Sequence, residues 1–202
     1  MKNKLFAAVV LASPLFANMA SLLVIPTDAV IVAGVYAGSS TVLSGIEVES
    51  TKVDLDGRRY DIDKTAPLFG GYLGLQNAHY RFSVSYDIDN NNELSLQRLL
   101  FNFDYRIGAQ GGFRPMAGFG VGASTSRYNM DARNIEQDKG AIAIRGGAEY
   151  FIDSHSSLEF LAEYTYMLDS GGDSFYSEDE FTDYDITDQH SIIFRIGYSF
   201  AF

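Results

Sequence analysis

The chain has 202 residues, a formal net charge of −11, 47% hydrophobic residues and no cysteine. This length suits one domain with or without a processed leader, and the lack of thiols excludes disulfides, thiolate metal sites and thiol catalysis. The acidic balance argues against a nucleic-acid partner, which would need a basic face. After residue 25 no run approaches the roughly 18 apolar residues of a spanning helix. Alternating strands of a membrane barrel would, however, average to the observed mean hydropathy of −0.03.

The first twenty residues have the composition of a secretory signal peptide. A short lysine-containing start precedes a mainly apolar run up to Phe16, and small residues follow at Ala17 and Ala20. This order predicts export with cleavage after Ala17 or Ala20, which would leave residues 21–202 as the mature domain. A buried N-terminal helix is the alternative, and the charged start and an internal proline disfavour it.

Eight strand-like segments follow along the chain. In most of them large apolar residues alternate with small or polar ones, a period of two that predicts strands. Each segment is about ten residues long, which is the length that a tilted strand needs to cross a bilayer. The predicted strands are Val30–Ser39, Ala66–Gln76, His79–Ile88, Leu96–Ile107, Arg114–Thr125, Gly140–Phe151, Leu158–Leu168 and His190–Phe202.

The connections between these strands alternate in length. Those after the second, fourth and sixth strands are short, whereas the others are mostly longer and polar: Ser40–Thr65, Asp89–Ser95, Ser126–Lys139 and Asp169–Gln189. Even-stranded outer-membrane barrels have this asymmetry, with short turns at one end and longer loops at the other. Within the first long connection, alternating residues flank Asp56-Gly57, which predicts a hairpin that extends strands one and two.

The alternation assigns two faces to the strands. In the last strand, Ile192, Phe194 and Ile196 share one face, whereas Arg195 lies on the other. Collecting the charged residues of that second face gives five bases and five acids, and such groups are costly inside a small barrel unless they are paired. The equal numbers predict a lumenal charge network of Arg81, Asp87, Arg98, Asp104, Arg106, Arg145, Glu149, Glu159, Glu163 and Arg195.

The apolar face carries aromatic residues near both ends of the strands. We expect them to form the two interfacial girdles of a membrane barrel. The alternative is a soluble β-sandwich or lipocalin-like barrel with an aromatic core, which would not explain the alternating loops. The predicted girdle residues are Tyr80, Tyr105, Tyr150, Phe200 and Phe202 at the turn end, and Tyr86, Tyr128, Tyr164 and Tyr166 toward the loops.

With its leader, its eight strands and its closing Tyr198-Ser199-Phe200-Ala201-Phe202, the chain resembles the small eight-stranded outer-membrane barrels of the OmpA/OmpX type. The resemblance implies an all-β, antiparallel, up-and-down transmembrane barrel in the outer membrane, with periplasmic termini and extracellular long loops. It also implies contact with lipopolysaccharide and recognition by the outer-membrane assembly machinery. Tyr198, Phe200 and Phe202 would form the signal that this machinery reads.

For function we expect a monomeric, non-enzymatic barrel without cofactor or metal, acting in membrane structure or in surface interaction through its loops. An interior filled by ten charged side chains predicts little or no conductance, although a narrow pore is one alternative. The other is an enzyme that hydrolyses or acylates lipid A, with His190 beside Asp188 and Ser191. Neighbouring strand residues point to opposite faces, which argues against that set sharing a proton.

The loop Asp169–Gln189 holds eight acidic residues and no basic one. Clustered carboxylates are ligands for divalent cations, but their spacing matches no defined calcium loop. A solvated acidic loop is the commoner explanation. The aromatic residues interleaved with the acids could contact a protein or glycan: Phe175, Tyr176, Phe181 and Tyr184.

Overall fold

The computed structural model describes residues 28–50, 57–91, 93–108, 112–130, 133–168, 173–177 and 180–202. The predicted signal peptide, residues 1–20, lies outside this part of the chain, as does Asp56 of the predicted Asp56-Gly57 turn. None of the described residues forms a helix long and apolar enough to cross a membrane.

All the regular structure in the described residues is β-strand. Eight long strands, β1 to β7 and β9, run along the chain, and the short β8 precedes β9. Their bounds are β1 Val30–Ser50, β2 Arg58–Gln76, β3 Tyr80–Asn90, β4 Leu94–Arg106, β5 Phe113–Met130, β6 Arg133–Phe151, β7 Ser156–Leu168, β8 Asp173–Ser177 and β9 Glu180–Ala201.

Neighbouring strands pair antiparallel in chain order, and β9 pairs with both β7 and β1, which closes an eight-stranded barrel. β8 adds a small hairpin to the start of β9. Register partners followed once around the barrel from Ala33 return to β1 at Leu43, ten residues further along. A stagger of this size in eight strands corresponds to a tilt of roughly 40°. The path is Ala33, Leu73, Val84, Phe101, Val121, Ile142, Tyr166, His190 and Leu43.

The two ends of the barrel differ, and we call them the turn end and the hairpin end. At the turn end, the Asn77 Oδ1 accepts the backbone N–H groups of His79 and Tyr80 at 2.9 and 2.8 Å. In the β6–β7 turn at the same end, the Asp153 carboxylate accepts the backbone N–H groups of His155 and Ser156. These two bonds stabilise the charged form and lower the pKa of Asp153.

At the hairpin end, strand pairing continues well beyond the predicted strand ends. β1 and β2 stay paired out to Val48 and Arg58, and β5 and β6 out to Met130 and Arg133. The predicted extension of strands one and two as a hairpin is therefore confirmed. The hydrophobic alternation marks only the part of a strand between lipid and lumen, so it underestimates the length of strands that continue into water.

The barrel has its polar residues inside and its apolar residues outside. Val35, Phe69 and Phe194 are more than 60% exposed on the outer surface, whereas arginines and carboxylates fill the interior. This reversal of the usual soluble arrangement is expected where the surroundings are hydrocarbon.

The prediction that Tyr128 belongs to the outer aromatic girdle is wrong. Its side chain is only 2% exposed, and its hydroxyl bonds Ser44 and Gln189 at 3.0 Å each. Strand β5 is rich in Gly, Ala and Ser, so its composition does not identify the outer face. Pairing with β4 decides it, because Tyr128 lies opposite the buried Leu94.

Several glycines allow the strands to coil tightly around the lumen. A Cβ at Gly122 would collide with the carbonyl oxygen of Leu99 on the adjacent strand. At Gly146 the nearest atom to such a Cβ is the Met116 carbonyl oxygen, at an ordinary 3.8 Å. The two positions are therefore a matched pair for testing the backbone packing.

We expect Gly122→Ala to lower the free energy of unfolding by about 1–3 kcal/mol, as overpacked substitutions do. Gly146→Ala should change it by less than about 0.5 kcal/mol. Urea unfolding of the refolded barrel in micelles, followed by circular dichroism because the chain has no Trp, measures both. Equal effects at the two positions would contradict this packing.

Candidate functional site in the barrel lumen

The lumen is the most highly charged interior region of the described protein. All ten residues predicted for the charge network point into it, and none is more than 8% exposed. Within each strand these residues lie an even number of positions apart, and residues so spaced point to the same face of the sheet. They form three connected clusters, stacked from the turn end to the hairpin end.

The turn-end cluster is organised around the Glu149 carboxylate. Its Oε1 accepts hydrogen bonds from Arg81 Nη2 at 3.1 Å and from the Ser157 hydroxyl at 2.7 Å. Its Oε2 accepts from Arg106 Nε and Nη2 at 3.1 and 2.7 Å. Arg81 also donates to Glu159 at 2.7 Å. One carboxylate thus holds two arginines from different strands.

The middle cluster joins strands on opposite sides of the lumen. Arg145 donates through two nitrogens to both carboxylate oxygens of Asp104. Glu163 lies between Arg145 and Arg195, at 3.9 and 3.6 Å. The Arg195 guanidinium carbon also lies 4.1 Å from the centre of the Tyr36 ring, a cation–π distance.

The hairpin-end cluster is centred on Arg98, which is fully buried. Its Nε donates to Asp87 at 2.7 Å, its Nη2 to Asp89 at 3.3 Å, and its Nη1 to the Ser191 hydroxyl at 3.0 Å. Every guanidinium nitrogen of Arg98 therefore has an oxygen partner, as a buried arginine requires.

Above Arg98 the lumen is closed toward the hairpin end. Leu94, Leu96 and Met167 are at most 1% exposed there. Beside them, Gln189 donates to Ser126 at 2.8 Å and to the Tyr128 hydroxyl. Apolar side chains and a small hydrogen-bonded group thus cap the charged interior.

Sequence reasoning missed three further buried charges: Asp89, Arg114 and Lys139. Asp89 continues the alternation of β3 one step past its predicted end, so a longer strand would have included it. Lys139 falls in the predicted loop Ser126–Lys139, which in the structure is the paired hairpin of β5 and β6. Arg114 is the second residue of β5, whose faces the composition does not separate. With these three, the described lumen holds seven buried bases and six buried acids.

The residues considered for lipid A chemistry lie apart. Ser191 is buried and bound by Arg98, whereas the His190 ring packs against Tyr164 on the outside, with 5.8 Å between ring centres. His190 and the exposed Asp188 line an open cleft of about 240 Å³. Ser44 also lines this cleft, but its hydroxyl is hydrogen-bonded to the lumenal Tyr128.

Among the described residues no group of three or more potential ligands could hold a metal ion. Parts of the acidic loop, residues 169–172 and 178–179, lie outside the described chain, so the cation hypothesis for that loop stays a hypothesis. The proposed assembly residues Tyr198, Phe200 and Phe202 are 39–70% exposed on the outer face. Their role as an assembly signal stays a prediction.

Comparison with known proteins gives one family and several similar folds. Residues 9–200 match the family model described as the outer membrane protein β-barrel domain. No curated protein sequence is a significant match.

Three crystal structures are similar to the chain, with identities that relate the folds alone. Neisserial surface protein A is 14% identical with a TM-score of 0.59, over 84% of this chain and 97% of that chain. The N-terminal β-barrel domain of Pseudomonas aeruginosa OprF is 16% identical with a TM-score of 0.52 and the same coverage. The outer membrane protein OprG from Pseudomonas aeruginosa is 17% identical with a TM-score of 0.51, over 84% of this chain and 95% of that chain.

We expect Glu149→Gln to lower the free energy of unfolding by about 3–5 kcal/mol, because it leaves two buried arginines without their shared carboxylate. The control is Glu136→Gln, which breaks an exposed pair with Arg127 at 3.0 Å and should cost at most about 1 kcal/mol. Urea unfolding in micelles compares the two. Similar losses for both variants would mean that the buried pairs contribute no more than a surface pair.

Proposed function

Because this chain belongs to the outer membrane protein β-barrel domain family, we propose that it serves as a non-enzymatic surface protein of that membrane. In this role the paired charges plug the lumen, and the hairpins beyond the membrane contact other molecules. The protein is located in the outer membrane, so the turn end is periplasmic and the hairpin end extracellular. The leader, residues 1–20, would direct export, and residues 21–202 would be the mature barrel.

The observation that carries this proposal is the length of the hairpins relative to the membrane. β1 has 21 residues, about twice the number needed to cross a bilayer. On its outer face, apolar residues such as Val35 give way to polar contacts at the hairpin end: Thr41 bonds Thr65 at 3.0 Å, and Glu47 pairs with Arg59 at 3.3 Å. A rigid, water-exposed extension of this kind supports recognition more than anchoring.

The charge of the extracellular side favours a partner with a basic surface. The lumen has nearly balanced charges, so the net charge of −11 comes mainly from residues outside it. The segment Asp169–Asp188, which includes β8 and the start of β9, contributes most, with eight acids and no base. Complementary charge would raise the rate at which a basic partner associates.

Other contacts follow from the location. Lipopolysaccharide would surround the outer aromatic band, and the assembly machinery would read Tyr198, Phe200 and Phe202 before insertion. The lumenal salt bridges described above all form within one chain, which supports a monomer. No observed feature favours chemistry on lipid A, since His190 and Ser191 lie on opposite faces of β9.

We expect no stable single-channel current of porin size when the purified barrel is inserted into planar bilayers. Eight strands enclose an interior that side chains can fill, and here Arg98 and the cap of Leu96 and Met167 fill it. An established large porin inserted in the same bilayers is the control. Reproducible porin-sized steps from this barrel would exclude the plugged-lumen part of the proposal.

We expect removal of the β1–β2 hairpin to weaken partner binding at least tenfold while leaving the barrel intact. In the variant, an Asn-Gly turn replaces residues 45–61 and joins the register partners Ser44 and Ile62. The matched control replaces residues 129–134 between Tyr128 and Ile135 in the same way. The lumenal ends of all four strands are kept.

Binding is measured by surface plasmon resonance, with each barrel in nanodiscs passed over immobilised basic peptides and extracellular-matrix proteins. Heat-modifiable gel mobility checks that both shortened barrels are folded. The expected result is at least a tenfold loss of affinity for the β1–β2 variant and a smaller loss for the β5–β6 variant. Unchanged binding by both variants would exclude recognition through these hairpins.

A further inference from the structure

The guanidinium of Arg114 is unusual among the lumenal charges. It is 1% exposed, yet within the described chain its Nε, Nη1 and Nη2 all have no hydrogen-bond partner. Five N–H donors and a full positive charge are therefore withdrawn from bulk water without an acceptor. A buried charge in this situation is strongly unfavourable unless an oppositely charged group reaches it.

The nearest acid cannot meet this need. Glu149 lies directly across from Arg114 on β6, but both of its oxygens are taken by Arg81, Arg106 and Ser157. Glu159 is likewise bound, by Arg81 and by the Tyr72 hydroxyl. A carboxylate that already accepts several hydrogen bonds has little capacity left for another guanidinium.

The periplasmic end of the lumen consequently carries one excess positive charge. Among the described residues, Arg81, Arg106 and Arg114 are buried there against two buried acids, Glu149 and Glu159. The other two clusters contain no arginine that lacks an acidic partner, since Arg98, Arg145 and Arg195 each lie within 4.0 Å of a carboxylate oxygen. The excess is thus local to one end of the barrel.

The Phe151 ring also lies beside the Arg114 guanidinium. The guanidinium carbons of Arg106 and Arg114 lie 5.8 and 5.2 Å from the centre of the Phe151 ring. Contact with the ring face orients a guanidinium and excludes water beside it, but it uses none of the N–H donors. The donors of Arg114 remain available to a planar or tetrahedral oxyanion, which they can bind through two parallel hydrogen bonds.

Arg114 lies nearer the periplasmic end of the lumen than the extracellular end. It is the second residue of β5 and lies beside the short β4–β5 connection. The opposite end of the lumen is capped by Leu94, Leu96 and Met167, and the clusters around Arg98 and Arg145 lie between. An anion from outside the cell would have to pass all of these groups.

We propose that Arg114, held against Phe151, binds a small oxyanion, a carboxylate or a phosphate, that enters the lumen from the periplasmic end. The anion neutralises the excess charge beside Glu149 and completes the hydrogen bonding of the guanidinium. Free periplasmic phosphate, a phosphate on a lipid headgroup and the carboxylate of a periplasmic peptide share this chemistry.

The test is a titration of the whole refolded barrel in micelles, followed by ¹⁵N NMR of the arginine Nε–H groups. Sodium phosphate and sodium acetate are the probes, with sodium chloride at equal ionic strength as the control. The expected result is a saturable shift of the Arg114 signal with phosphate or acetate and not with chloride. The signal of the exposed Arg127, paired with Glu136, should change no more than it does in chloride.

A second measurement uses stability. Arg114→Met removes the unpaired charge and keeps an apolar stem beside Phe151, so without oxyanion it should unfold at a higher urea concentration than the wild type. An oxyanion at ten times its dissociation constant should raise the folding equilibrium constant of the wild type about elevenfold, and that of the variant not at all. Arg127→Met, the matched control, removes an exposed positive charge. The oxyanion should raise its folding equilibrium constant as much as that of the wild type.

Each outcome decides the matter. A shift that is absent, linear, or equal with chloride would overturn the proposal and leave Arg114 hydrated by water only. An equal anion response in wild type and Arg114→Met would overturn it as well. If the variant does not refold, the wild-type titration decides alone. Glycerol phosphate and an N-acetylated dipeptide then separate the sources, because only the headgroup mimic or only the peptide carboxylate should compete with the small ion.

Discussion

β1 and β9 pair from Val32 out to Ser50, and the rest of the structure depends on this contact. In hydrocarbon an unpaired strand edge would leave a row of backbone N–H and C=O groups without partners, at a cost of several kcal/mol for each group. Pairing the first strand with the last removes both edges together. It also separates an interior, in which charges can be held, from an outer surface that only lipid can cover.

Closure imposes a second requirement on the side chains inside. Few waters fit in an eight-stranded lumen, so each guanidinium needs acceptors from the protein itself. Arg98 has acceptors for all of its nitrogens, and Glu149 serves two arginines at once. Because Glu149 is saturated, the next arginine along the wall has none. The plug against conduction and the proposed oxyanion site thus share one origin, the narrow closed lumen, in which the periplasmic end has fewer carboxylates than arginines.

The sequence by itself determined the fold class and much of the interior. An apolar period of two, repeated eight times with alternating short and long connections, describes a membrane barrel because each strand must present one face to lipid. Where that contrast is strong, as around Arg81 and Arg98, the pattern predicts the correct side. Where Gly and Ala replace large side chains, as in β5, the contrast is lost, so the pattern predicts the wrong face for Tyr128 and no face for Arg114.

Only the tertiary structure decided which charges meet. The stagger of ten residues around the barrel brings Arg81 to Glu149 and Glu159, and Arg98 to Asp87 and Ser191, although these partners are up to 93 residues apart in the chain. The register of each strand depends on the pairing of all eight strands together, so the sequence of one strand does not determine it. Balanced charge can be counted from the sequence, but a carboxylate that is fully occupied, and an arginine left beside it, depend on positions that exist only once the barrel has closed.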